Sequence, residues 1–283
     1  MQRIFVYAVL LVMILCGCER RVDINLPYEG DRLVINSLIQ PDSVVYARVT
    51  RSIPANVYNE GAFAEVRDAG VTLEEDGKVL PMAALQIGGN MWYVSSQPAV
   101  LGRHYKISAS KSGLSSVYAA DTLPPPPNVS NASAQRNSSR VRFTLKDRPG
   151  AADYYRLRIF AYGPSGQPDT MRLFRLDPSF NNNVIDVIAE ANYTSMIMSD
   201  ERFDGKTLTF VLQTKDPIVN AKQLMIEVSE LTYNSWQYLK TASAQLENSG
   251  SIVTEPVRVF TNVVNGYGIV GGINTRRLVF KVD

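Results

Sequence analysis

The chain has 283 residues, 45% of them apolar and 20% charged, which suits one or two globular domains and excludes a disordered chain, a fibre or a multispanning membrane protein. Its 29 Lys and Arg against 27 Asp and Glu leave a net charge of +2, too little for the basic footprint of a nucleic-acid binder. One histidine and two cysteines exclude zinc sites of the Cys/His type and most His-based catalysis.

Met1-Gln2-Arg3 is a short positive segment, and Ile4 to Leu15 is an unbroken apolar run. The run is shorter than the roughly 20 residues a spanning helix needs, and it reads as the apolar region of a signal peptide over residues 1–17. Leu15-Cys16-Gly17-Cys18 has a small residue before a cysteine and Leu three positions upstream, the pattern of a bacterial lipobox. Cys18 is thus the expected lipidation site and first residue of the mature chain, which then holds no second cysteine for a disulfide. Palmitate-type acyl chains would make a stable membrane anchor. Residues 18–30 are the expected lipidated tether.

From residue 31 the dominant period is two, the signature of strands. Leu33, Ile35, Ser37 and Ile39 share one strand face, and Val45, Ala47 and Val49 share another. Val71 and Leu73 lead into Asp76-Gly77, a strong hairpin signal because both positions accept positive φ. Met91–Val94, the alternation Tyr105, Ile107, Ala109, and Val117–Ala120 complete an N-terminal β-sandwich over residues 31–123, immunoglobulin-like or transthyretin-like. Pro124 to Pro127 cannot donate to a central ladder and favour a stiff extended spacer. With the Ser/Asn-rich stretch Asn128–Ser139 they are read as a linker and loop over residues 124–139.

Residues 140–283 are expected to form a second β-sandwich. Val141, Phe143 and Leu145 alternate, as do Tyr155, Leu157, Ile159 and Ala161. Met171, Leu173 and Arg175 form a third candidate strand, and Asp204-Gly205 marks a hairpin before Leu208, Phe210 and Leu212. Leu224, Ile226 and Val228 follow; Val257–Val264 and Leu278–Val282 are the last two candidates. Tyr233, Trp236, Leu239, Ala242 and Leu246 recur at three- and four-residue spacing behind Thr232, which predicts one N-capped helix with Trp236 in the core. The fold class expected is mainly β, two tandem β-sandwich domains with one helix in the second.

Gly266-Tyr267-Gly268-Ile269-Val270-Gly271 matches the dinucleotide fingerprint GxGxxG, yet no helix or distal acid follows it, so no nucleotide is expected. The segment reads as a glycine-rich turn, and Asn262, Asn265, Gly266, Tyr267, Gly268 and Gly271 form a candidate binding or structural loop. His104 sits on the polar side of its strand and is expected to be solvated. Asp147, Asp153, Glu190, Asp200 and Glu201 are scattered through loops, with a spacing that favours a solvated surface over a carboxylate pair. No catalytic residue, metal ligand or cofactor is assigned. The aromatic residues, Trp92 and Tyr93 among them, are candidates for a binding platform, with burial in the core as the alternative.

The order of short motifs resembles a family of Bacteroidota lipoproteins grouped as domain of unknown function 4249. They run from Cys18-Glu19, Asn25-Leu26-Pro27 and Asp31–Asn36 through Arg51-Ser52, Ala69–Leu73 and Gly102–Ile107. In the second half they are Asp153–Leu157, Asp177–Phe180, Phe203–Lys206, Tyr233–Leu239 and Glu255–Val263 with Asn265–Ile269. The resemblance brings no catalytic residues. It implies a neighbouring TonB-dependent outer-membrane receptor and a role in envelope uptake or assembly. Members exposed on the cell surface tend to carry acids after the cysteine, whereas here Arg20 and Arg21 follow Glu19, which leaves both faces of the outer membrane open. It also implies the phylum's O-glycosylation pattern of Asp, Ser or Thr, then an apolar residue, met at Ser43, Thr122 and Thr170. The expected function is that of a non-enzymatic outer-membrane accessory lipoprotein that binds a TonB-dependent receptor. The alternatives are a fimbrillin-like structural subunit and a carboxylate-dependent hydrolase.

Overall fold

The computed structural model describes residues 28, 30–54, 64–163, 166–177, 191–248 and 257–283. The segment read as a signal peptide, Cys18 and most of the expected tether lie outside them. The described chain is mainly β, with a single helix.

Nine strands come from the first half. They are β1 (Leu33–Ile39), β2 (Val44–Arg51), β3 (Ala64–Glu65), β4 (Gly70–Glu75), β5 (Lys78–Leu80), β6 (Met82–Ile87), β7 (Asn90–Pro98), β8 (His104–Lys111) and β9 (Leu114–Thr122). The alternation read from the sequence sets their burial: Leu33, Ile35, Ser37 and Ile39 all point into the core. Asp76 and Gly77 have φ of 47° and 84° and close the β4–β5 hairpin as expected.

The second half adds β10 (Asn128–Ala134), β11 (Arg140–Lys146), β12 (Tyr154–Tyr162), β13 (Pro168–Met171), β14 (Phe174–Leu176), β15 (Met196–Ser199), β16 (Thr207–Thr214) and β17 (Gln223–Leu231). Helix α1 (Tyr233–Asn248) and the long strand β18 (Tyr267–Lys281) follow.

Two sandwiches result, and they share a sheet. A ten-stranded sheet runs β13-β12-β17-β18-β1-β2-β7-β6, with β15 and β3 pairing beside it. The sheet β5-β4-β8-β9 supplies the second layer of the first core, built on Leu33, Ile35, Leu73, Tyr105 and Ile107. The sheet β10-β11-β16-β14 supplies that of the second, around Phe143, Tyr155, Phe203 and Phe210. Phe143 stacks on Phe210 with centroids 5.1 Å apart.

Strand β18 joins the halves. Tyr267–Gly272 pair in parallel with Val34–Ile39. Ile273–Lys281 pair antiparallel with Gln223–Leu231. This corrects the boundary drawn at residue 140: Val263 and Val270 belong to the first core. The expected linker is also corrected. Pro124 and Pro127 are buried, the Pro124 carbonyl accepts a hydrogen bond from Asn274 Nδ2 at 3.0 Å, and Asn128–Ala134 is a strand rather than a loop.

Three further corrections concern strands. Met171–Arg175 is split between β13 and β14, which lie in different sheets. The Asp204-Gly205 turn joins β15 to β16, again in different sheets, so it is no hairpin. Val257–Val263 forms no strand; only Val264 makes an isolated bridge to Tyr118.

Candidate functional site

The segment singled out as a loop is largely not one. Asn265 turns the chain with φ of 62°, and from Tyr267 the backbone is inside the sheet. A Cβ on Gly266 would stand 2.4 Å from the Leu33 carbonyl oxygen, and one on Gly268, whose φ is 101°, 2.0 Å from that of Ile35. These glycines let β18 approach β1. Asn262 completes the ladder on the other side: its side chain accepts from the Val270 amide at 3.1 Å and donates to the Val270 carbonyl at 2.7 Å. Gly271 is buried beneath Ser235. Tyr267 is half-buried under Arg32 and lines a cleft of about 440 Å³ with Tyr238 and Phe260. The segment is therefore structural, with Tyr267 as its most accessible side chain toward that cleft.

Gly272 is a junction. Its amide donates to Asp121 Oδ2 at 3.2 Å, and its carbonyl accepts from the Thr232 amide and from Ser235 Oγ at 2.8 Å. Thr232 caps α1 as expected, accepting from the Ser235 amide at 3.3 Å, and its hydroxyl donates to Asp121 at 2.5 Å. Burial pushes the Asp121 carboxyl up despite these donors. Trp236 is half-buried rather than core: it stacks on Tyr154 of β12 at 4.6 Å and lies under Lys240.

Among the glycosylation candidates, Thr122 is exposed at the end of β9, and Ser43 is half-buried behind the Asp42 turn. Thr170 pairs with Ala161 through its backbone; its side chain lies outside what is described. His104 is exposed, as read.

The solvated acids are the main correction. Asp147, Asp153 and Asp200 are 2%, 2% and 4% exposed and converge at one end of the second core. Glu201 is exposed, and Glu190 lies outside the described residues. The signal was in the alternation. Asp147 continues the inward phase of Val141, Phe143 and Leu145; Asp153 precedes that of Tyr155 and Leu157. Asp200 follows Met196 and Met198, and Glu230 follows Leu224, Ile226 and Val228. Each acid is the next core-facing position beyond its strand's apolar run, so four strand ends floor the core with carboxylates. A carboxylate is an unexpected residue at such a position, because burying its charge is costly.

Two loops hold the cluster. The Asp147 amide donates to the Lys206 carbonyl at 3.0 Å, and the Asp200 amide to that of Asp153 at 3.0 Å. Gly205, with φ of 69°, donates to Asp147 Oδ2 at 2.8 Å, and Tyr155 Oη donates to Asp147 Oδ1 at 2.7 Å. Arg148 grips Asp153 through both carboxylate oxygens and donates to Glu230 Oε1 at 2.6 Å. Burial and neighbouring carboxylates push Asp147 up, Asp200 up to about 6 and Glu230 up to about 8.

The outer face of the shared sheet differs at its two ends. Near β12, Glu227 is surrounded by Arg158 at 2.8 Å, Arg277 at 3.1 Å and Arg156 at 3.9 Å. Against the upward push of burial, these guanidiniums hold its carboxyl below the usual range. At the opposite end β6 is an edge strand. Leu85, Ile87 and Tyr46 are 47%, 42% and 41% exposed. Leu85 pairs with Trp92, whose ring meets Tyr46 edge-on at 6.3 Å, so these side chains form one apolar band. Trp92 is thus part of an accessible platform, while Tyr93 faces the first core.

The family described as domain of unknown function 4249 matches residues 19–278. The chain belongs to that family. No curated protein matches it. In this member of the family the match takes in both sandwiches, the shared strand and the acidic floor. No helix among its described residues is long and apolar enough to cross a membrane.

Proposed function

We propose that this protein is a lipid-anchored outer-membrane accessory subunit that docks on a membrane-embedded partner, a TonB-dependent receptor, through the β6–β7 edge. The observation that carries the reading is the apolar band of Tyr46, Leu85, Ile87 and Trp92 on an open sheet edge. Exposed aromatic and aliphatic groups at an unpaired edge favour association, by side-chain burial and by strand addition. The anchor would set the reach of the band: the 15 steps from Cys18 to Leu33 span at most about 54 Å when extended. Confinement that close to the membrane raises the effective concentration of a membrane partner, so modest contacts suffice.

The test is affinity purification from gently detergent-extracted envelopes. A stoichiometric outer-membrane receptor should accompany the wild type and be lost with Leu85→Glu/Ile87→Glu. Recovery of a self-polymer, or of a lone monomer that cleaves a glycan or peptide, would overturn the proposal. Cys18→Ala should move the protein into the soluble fraction; retention in the membrane would remove the anchor from the argument.

A further inference from the structure

We infer that the acidic floor of the second sandwich is a binding site for one divalent cation of calcium size, with Asp147, Asp153 and Asp200 as its ligands. One carboxylate oxygen from each lies within 4.8 Å of the others. Three atoms no more than 4.8 Å apart share a centre no more than about 2.8 Å from each, close to the usual calcium–oxygen distance of about 2.3–2.6 Å. Asp200 adds an independent observation: its Oδ2 is buried with no hydrogen-bond partner among the described residues, on a residue 4% exposed. A buried carboxylate oxygen left unsatisfied is costly, and a bound cation removes that cost.

Charge points the same way. Asp147, Asp153, Asp200 and Glu230 carry four negative charges when ionised, and Arg148 is the cation that contacts them. One guanidinium leaves an excess of three, which a divalent ion reduces to one. Arg148 is committed to Asp153 and Glu230, so Glu230 acts as a positioning residue. Asp147 accepts one donor on each oxygen and keeps lone pairs for a metal. The hard, all-oxygen donor set suits magnesium, calcium or manganese better than zinc or copper. Magnesium retains several waters and seldom accepts three carboxylates in a buried pocket, which leaves calcium as the better fit. This inference is independent of the docking surface at β6–β7, which lies on the other sandwich.

The full chain in detergent is titrated with CaCl₂ after treatment with EGTA. The expected result is one equivalent of calcium bound, and a Tm raised by roughly 5–10 °C at a hundredfold excess over Kd. Asp200→Asn is nearly isosteric and relieves repulsion, so it should fold, melt no lower than wild type in EGTA, and lose the calcium shift. Glu201→Gln, on the exposed neighbour, should keep it. Terbium bound here should be sensitised by Tyr155, which touches Asp147, and displaced by calcium; this readout needs no variant. No bound calcium in the wild type, an equal response to magnesium, or calcium binding retained by Asp200→Asn would each overturn the assignment.

Discussion

At the scale of single residues, two glycines separate space from backbone conformation. Gly268 combines φ of 101° with a carbonyl 2.0 Å from where its Cβ would stand, so Gly268→Ala has no place to put a methyl group. The expected loss exceeds about 4 kcal/mol, enough to unfold a marginal domain. Gly102 has φ of 81° but open space around it, so Gly102→Ala should cost only about 1–2 kcal/mol of backbone strain. Urea unfolding of the two variants checks both figures. Two carboxyls, the buried Glu227 and the half-buried Asp121, should respond to pH with opposite sign. Glu227 is held below the 4.5 of an ordinary Glu by its arginines, so it contributes stability above that value and loses it as pH falls through its native pKa. Asp121 is raised above 3.8, so its native state retains a proton the unfolded chain releases; that contribution is present below 3.8 and lost as pH rises through the native pKa. Melting curves across pH should therefore show a shallower acid decline for Glu227→Gln and a shallower decline above pH 4 for Asp121→Asn. Parallel pH profiles for both variants and the wild type would contradict these signs. Neither role was legible beforehand, because each depends on residues distant in the sequence.

At the scale of elements, period two carried most of the reading. Strands β1, β2, β8, β11 and β12 alternate because one face meets a core, whereas β17 is buried on both faces and only its apolar residues Leu224, Ile226 and Val228 keep the period. The misses have physical causes. Apart from Val129, β10 is built from Asn, Ser and Ala, poor strand formers, and is held by pairing with β11. β6 is exposed on both faces apart from Met82, so no burial pattern marks it. The beginning of β18 uses glycine where the sequence suggests a turn, because a carbonyl on β1 occupies the space of a side chain. The acidic floor is hidden in the sequence because each alternating apolar run ends, by hydropathy, where its charged residue begins. Helix α1 was read correctly through its cap. Thr232→Ala should cost about 1–2 kcal/mol, toward the upper end of an N-cap because the hydroxyl also serves Asp121. A fall in thermal stability with helix content largely kept is the expected outcome, measured by circular dichroism.

At the scale of the molecule, the two sandwiches are one unit. A strand of 15 residues gives its first half to one core and its second half to the other. Unfolding of either should strip the partner of a central strand, so calorimetry should show one cooperative transition and not two. The buried prolines carry a further expectation: proteolysis of the native protein at 124–127 should be slow, and a fragment beginning near 128 should not accumulate. Two well-separated transitions, or that fragment as the first product, would mean the halves are energetically independent. The shared strand also sets a clock. Val34 lies next to Tyr267 in the finished sheet, 233 positions further along the chain. At about 5–20 residues per second, the ribosome supplies that neighbour on the order of 10–50 s after Val34 itself. Throughout that interval the first sandwich lacks an inner strand and cannot close, whatever its own nine strands achieve. The topology therefore makes residues 267–272 a gate on folding: the first sandwich closes only once a segment made long after its own strands has joined them.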